Sequence, residues 1–186
     1  MTLTATTPAL KEWSAAVHAL LDGRQYVLLR KGGIGEKRFE VAAPEFLLFP
    51  TVAHSHEARV RPEHRDLLAA AADDSTEDRL VIRAAAKVVA ALAVNRPERL
   101  GDIEDLHIWT AESVRADRLD FRPKHKLAAL VVSVIPLVEP IRLTRTPEYG
   151  GCTSWVQLPA RPAFGAPIHD DAVLVEVAAR VRDAVG

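Results

Sequence analysis

The sequence predicts an α+β domain: a mainly antiparallel, barrel-like sheet with an amphipathic helix from each end of the chain packed on it. Three observations carry this. Short apolar runs with strand character, such as Tyr26–Leu29, Phe46–Phe49 and Leu127–Leu137, are separated by glycine and proline rather than by regularly alternating helices. Two glycine pairs, Gly32-Gly33 and Gly150-Gly151, hold four of the nine glycines and stand where such runs meet charged side chains. Helical spacing is clearest at the two chain ends.

The N-terminal helix opens at Thr7-Pro8, with Thr7 as N-cap and Pro8 in the first helical position. Leu10, Trp13, Val17, Leu20 and Leu21 recur at helical spacing, and Gly23 stops the run. Gln25 to Arg30 reads as a strand, Gly32 to Gly35 as a turn and Arg38 to Val41 as the returning strand. Phe46 to Phe49 is a third strand closed by Pro50, and Ala53 to Arg65 a surface loop running into a short helix from Pro62. Residues 73–78 carry four acids and no base, which predicts an exposed acidic connection. Arg79 to Val94 is alanine-rich, yet its apolar residues alternate at a period of two. We read it as a long, bulged strand, with a helix as the competing assignment. Pro97 to Leu106 is a short helix or turn and Trp109 to Leu119 a helix. Leu127 to Leu137 is a central strand bounded by Pro140, with Ile141 to Thr144 extending a partner and Ser154 to Leu158 making another. Ala172 to Val185 is the closing amphipathic helix, with Val173, Val177, Val181 and Val185 on one face.

Composition narrows the function classes. A chain of 186 residues fits one domain spanning 1–186, and 48% apolar residues suffice for a core. A net charge of −1 argues against whole-surface attraction to nucleic acid and leaves room for a local basic patch. Residues 24–65 hold eight Lys/Arg against five Asp/Glu, and residues 115–145 seven against three. Cys152 is the only cysteine, which excludes an intramolecular disulfide and a cysteine-based zinc knuckle. A reducing, cytoplasmic setting is expected. The first residues lack a secretory signal, and Arg83, Lys87 and Arg96 interrupt the best candidate span, so no membrane partner is expected.

The candidate site rests on the glycine turns. Paired glycines permit unusual backbone angles and leave N–H groups open to a ligand. Arg30, Lys31, Gly32, Gly33 and Arg38 offer cations around such a turn, which suits a phosphate. No P-loop spacing is present. Glu148, Tyr149, Gly150, Gly151 and Trp155 supply an aromatic-rimmed second wall. The reading is a nucleotide- or nucleic-acid-phosphate-binding module in which both turns line one pocket, with no cofactor assigned. Two alternatives compete with it. In one, Glu40, Glu45 and His54 or His56 surround a metal in a nuclease or other hydrolase. His54-x-His56 would put both rings on one side of an extended segment, with Glu57 or His64 as a further ligand. Against it, no Pro-Asp…Asp/Glu-x-Lys spacing is convincing. Cys152 as a nucleophile would need a base such as His107 or His54 brought in by the fold. In the other alternative, the terminal helices form a partner or homodimer surface and the protein has no catalytic role.

Several segments resemble, in order, a bacterial and archaeal family designated only as a domain of unknown function, number 1802. They are Ala9–Trp13, Leu28–Ile34, Phe46–Thr51, Leu106–Thr110 and Thr146–Val156. The resemblance spans nearly the whole chain. Some relatives adjoin restriction-endonuclease-type domains, which implies a DNA-related role in restriction or defence. The family brings no catalytic residues with it. Arg79 to Val94 departs from it in being richer in alanine.

Overall fold

The computed structural model describes residues 5–32 and 38–186. In chain order it comprises β1 (Thr7–Trp13), α1 (Ser14–Leu21), β2 (Val27–Lys31), β3 (Glu45–Thr51), α2 (His56–Arg59) and α3 (Leu68–Asp73). There follow β4 (Arg79–Ala93), α4 (Ala111–Val114), β5 (Leu127–Thr144), β6 (Trp155–Leu158) and α5 (Asp171–Val185). 3₁₀ segments at Pro62–Leu67, at Pro97–Leu106 with a kink at Ile103, and at Pro147–Tyr149, and a π-helical stretch at Arg115–Asp120 join these elements. The six strands form one mixed sheet in the order β2-β5-β4-β3-β1-β6. Every pairing is antiparallel except β1 with β3.

Alternation builds the core. Along β5, Leu127, Ala129 and Val131 enter one cluster with α5, while Leu130, Val132 and Val134 enter another with Leu10, Phe46 and Leu48. A period of two sends neighbours to opposite faces, so this central strand is apolar on both sides. The sheet's two outer strands are not hydrogen-bonded to each other. Side chains span the gap instead. The Arg30 guanidinium from β2 lies over the Phe39 ring at 5.2 Å, and Phe39 stacks on Trp155 of β6 at 6.1 Å.

Residues 79–93 form one strand of 15 residues, with register shifts at Ile82/Ala84 and Val88/Ala90. Its alternation outweighs its alanine content, because helix propensity is weak against tertiary pairing. β5 runs through Pro140 instead of ending there. Between the pairs Ala84↔Pro136 and Ile82↔Ile141 its extra residues leave the ladder, and a proline without an N–H is tolerated at such a bulge. Pro50 likewise lies inside β3, beyond its last partner on β4, where the strand has a neighbour on one side only.

The N-terminal helix is shorter than its sequence suggests. Thr7 to Trp13 is a strand, so Thr7 is no cap and Leu10 faces the inside of the sheet. Helical structure starts at Ser14, and Gly23 with φ +75° does end that turn. Arg38 makes only an isolated bridge to Lys126, so no returning strand occupies Arg38 to Val41. Gly33 and Gly35 lie outside the described residues. The 73–78 connection is only partly exposed: Asp74 is buried and bonded to His18 and Arg83.

On α5 the buried face is Leu174, Val177, Ala178, Val181, Ala184 and Val185, whereas Val173 is exposed. Each such Val or Leu contributes about 1.5–3 kcal/mol by leaving water. Both terminal helices therefore spend their apolar faces within this chain: α1 is buried at Ser14–Val17, Ala19 and Leu20. What remains for the interaction-subunit alternative on these helices is the exposed pair Val173 and Val175 of α5.

Candidate anion-binding cleft

A cleft of about 900 Å³ opens where β1, the end of β3, the 75–77 turn and the second glycine turn meet. Lys11 and Arg145 are its cations; the buried Phe49 and Tyr149 lie at its base; Thr51, Ser75 and Thr76 bring hydroxyls; and His54, the Glu77 carboxylate, Val52 and Ala53 also line it. Strand geometry positions Lys11. Its neighbour Leu10 points into the core, so Lys11 faces the other way, in register with Phe49 and 5.8 Å above that ring. Tyr149 meets Phe49 edge-on at 5.7 Å.

Arg145 is fixed before any ligand arrives. Its Nε donates to the Thr76 carbonyl at 2.8 Å and its Nη2 to Ser75 Oγ at 2.6 Å. The Lys11 ammonium donates to the carbonyls of Gly150 and Gly151 at 3.4 and 3.2 Å. Burial, reinforced by the nearby Arg145 charge and opposed by Cys152, holds the Lys11 amine below the usual lysine range. Neither Lys11 nor Arg145 forms an ion pair with a carboxylate among the described residues. Two partly buried cations lining one cleft favour an anion between them.

The second turn thus shows the cleft its carbonyls. Gly151 sits at φ +83°, the left-handed conformation that glycine tolerates, and a Cβ there would meet nothing within 4 Å. The N–H of Gly150 is occupied by the Pro147 carbonyl at 3.0 Å. What the turn presents to Lys11 is therefore carbonyl oxygen.

A profile of the family described as Domain of unknown function (DUF1802) matches residues 9–180. The chain belongs to that family. No curated protein matches the chain. Among solved structures, a serine-to-alanine mutant of the ASCH protein of Zymomonas mobilis is 14% identical with a TM-score of 0.44, over 72% of this chain and 72% of that one. The ASCH protein of Zymomonas mobilis in a second crystal structure is 11% identical with a TM-score of 0.41, covering 69% of this chain and 71% of that one.

The remaining site residues of this DUF1802 domain are dispersed. Arg30 Nη1 donates to the Lys11 carbonyl at 2.9 Å and to Glu12 Oε2 at 3.2 Å, where Glu12 is buried. Lys31 Nζ donates to the Phe121 and Arg122 carbonyls at 2.5 and 2.8 Å, capping the end of the π-helical stretch. Both cations already serve the fold. Gly32 is buried beside them, and Gly33 lies outside the described residues. Arg38 is exposed and, with Lys126 and Glu40, lines a separate recess of about 490 Å³. Glu148 is exposed on the second turn. Trp155 joins Phe39 and Phe46 at the inner mouth of the sheet, its Nε1 donating to the Glu40 carbonyl at 3.2 Å. Arg30 and Trp155 therefore share one column of side chains, and Tyr149, Gly150 and Gly151 share the cleft.

Lys11 and Arg145 escaped the sequence reading. The helical spacing of Leu10, Trp13 and Val17 hides the strand that orients Lys11, and Arg145 has no signal beyond a basic residue shortly before the glycine turn. The histidine pair does not share a face. His56 opens α2 and is buried 4.8 Å from Trp13 and 6.3 Å from Trp109, whereas His54 is exposed at the cleft. No grouping of three His, Cys, Asp or Glu able to hold a metal ion occurs among the described residues. Glu40 and Glu45 are both exposed. Cys152 is exposed, and His107 is buried with Nδ1 accepting the Trp109 N–H at 3.1 Å. Among the described residues no helix is long and apolar enough to cross a membrane.

Proposed function

We propose that this domain is a binding module for a phosphate-bearing ligand, a nucleotide or a nucleic-acid strand, held in the cleft by Lys11 and Arg145. The observation that carries the reading is the pairing of these two cations, partly buried and without ion-pair partners among the described residues, in one cleft of about 900 Å³. Arg145 retains guanidinium N–H groups beyond those bonded to Thr76 and Ser75, and such forks suit phosphate oxygens. Phe49 and Tyr149, both buried, pack behind Lys11 and fix its position rather than offering a stacking face. Arg38 and Lys126 extend the positive surface near the first turn, whereas Arg30 and Lys31 support it from within. A setting beside DNA-cleaving enzymes agrees with the domains that adjoin some relatives.

The deciding experiment is binding of a fluorescein-labelled single-stranded oligonucleotide and its duplex across a salt series. Affinity should fall steeply with salt and drop at least tenfold in Lys11→Ala/Arg145→Ala, while Arg38→Ala has a smaller effect. Binding that ignores salt, or that survives the double substitution in a folded protein, overturns the reading.

A further inference from the structure

A second recess, about 420 Å³, lies between the Pro97–Leu106 segment and the wall formed by α4 and the π-helical stretch. Its floor is Leu100, His107, Trp109 and Val114, all buried. Its rim carries Glu98, Glu104 and Arg115, all exposed and outside any ion pair among the described residues. His107 has a defined tautomer. Its Nδ1 accepts the backbone N–H of Trp109 at 3.1 Å, and burial, helped by the Arg61 charge, pushes its pKa down to about 4. At neutral pH the ring is therefore uncharged with its proton on Nε2, a donor that finds no acceptor among the described residues. Leu119 and Arg115 come from a π-helical stretch, a rare geometry that recurs at functional sites.

We propose that this recess binds a small, planar, uncharged heteroaromatic molecule bearing one hydrogen-bond acceptor and an amino or amide NH₂ group. Trp109, Leu100 and Val114 supply the apolar contact. His107 Nε2–H donates to the acceptor, and Glu98 and Glu104 receive the N–H groups. Two rim carboxylates against one guanidinium disfavour anions, which separates this recess from the phosphate cleft. The volume falls within the range of about 300–1,000 Å³ usual for small-molecule sites. The proposal stands apart from the phosphate-binding reading and survives its failure.

The test is an NMR titration of the isotope-labelled full chain with nicotinamide as the neutral probe and nicotinate as its anionic counterpart. Nicotinamide should move the Trp109 indole and His107 ring signals to saturation with a Kd on the order of 1 mM, fitting a ligand of its size. Nicotinate should bind at least fivefold more weakly. His107→Phe, which keeps the ring and removes the donor, should weaken nicotinamide roughly fivefold, the share of one hydrogen bond. Gly101 lines the recess, and a Cβ there would meet no heavy atom within 4 Å. Gly101→Leu should abolish the shifts while leaving thermal unfolding unchanged, and it serves even if His107→Phe fails to fold. The proposal falls if Trp109 shows no saturable shift, if Gly101→Leu leaves the affinity intact, or if the shifts gather at Lys11 and Gly151 instead.

Discussion

His18 Nε2 stands 2.6 Å from Asp74 Oδ2, tying the N-terminal helix to the residue that ends α3. Arg83 closes on the same carboxylate with two hydrogen bonds of 2.7 and 2.8 Å. Burial alone would raise the Asp74 pKa, but the bonds from His18 and Arg83 outweigh it and hold the group below the usual carboxylate range. A depressed carboxylate stabilises the fold above its unfolded pKa of about 3.9, and that contribution disappears as the pH falls through the lower folded value. Asp74→Asn should cost about 1–3 kcal/mol, since it weakens the charged hydrogen bonds that a buried carboxylate makes to the partly exposed Arg83 and to His18. Urea unfolding of the variant at neutral pH, and of the parent as acid is added, measures both.

Two histidines should govern stability between mildly acidic and neutral pH. Burial pushes His56 and His107 each down to about 4, with nearby arginine charge adding to the shift. Their unfolded pKa lies near 6.5, so between about 4 and 6.5 the unfolded chain binds more protons than the folded one. Stability should therefore rise with pH across that window, by up to roughly 1.4 kcal/mol per pH unit for each ring. In His56→Phe the slope should fall by the share of one ring, visible in unfolding free energies measured at four or five pH values.

Arg30 should prove a folding residue before it proves a ligand residue. It compensates the buried Glu12 carboxylate, which also accepts the Trp13 N–H at 2.8 Å. Arg30→Ala should destabilise the protein by about 2–4 kcal/mol, whereas Glu12→Gln/Arg30→Met, which removes both charges, should cost less. Equal losses in the two proteins would show that the pair does not act as a unit.

Gly151 offers a purely conformational test. Its φ of +83° strains any L-residue, yet a Cβ would find open space. Gly151→Ala should cost about 1–2 kcal/mol and Gly151→Val more, with Gly151→Asn the mildest of the three. Thermal melts of the three variants supply the ranking, and an oligonucleotide titration shows whether the turn's altered carbonyls disturb Lys11.

Much of the sheet was legible because alternation is a local property. The period of two in Leu80–Leu92 sufficed to identify β4 against its alanine content, and the glycine after Leu21 marked the end of α1. The strand at Thr7–Trp13 was hidden because Leu10, Trp13 and Val17 happen to fit a helical spacing, although strand and helix each bury only part of the set. That error carried forward to the site, since the direction of Lys11 depends on which element it occupies. Arg145, the 75–77 turn and Tyr149 meet Lys11 only through the register of distant strands, which no local pattern encodes. Glu12 beneath Arg30 was equally invisible: a cation beside glycines looks available until its buried partner is known.

The column Arg30–Phe39–Trp155 gives the molecule a seam. Where strands are laced together, parting them breaks ladder hydrogen bonds; here the two margins are held by the ring contacts of Phe39 with Arg30 and Trp155. Breathing should concentrate along this line, with amides near Phe39 and Glu40 exchanging with solvent well before those of the long β4–β5 ribbon.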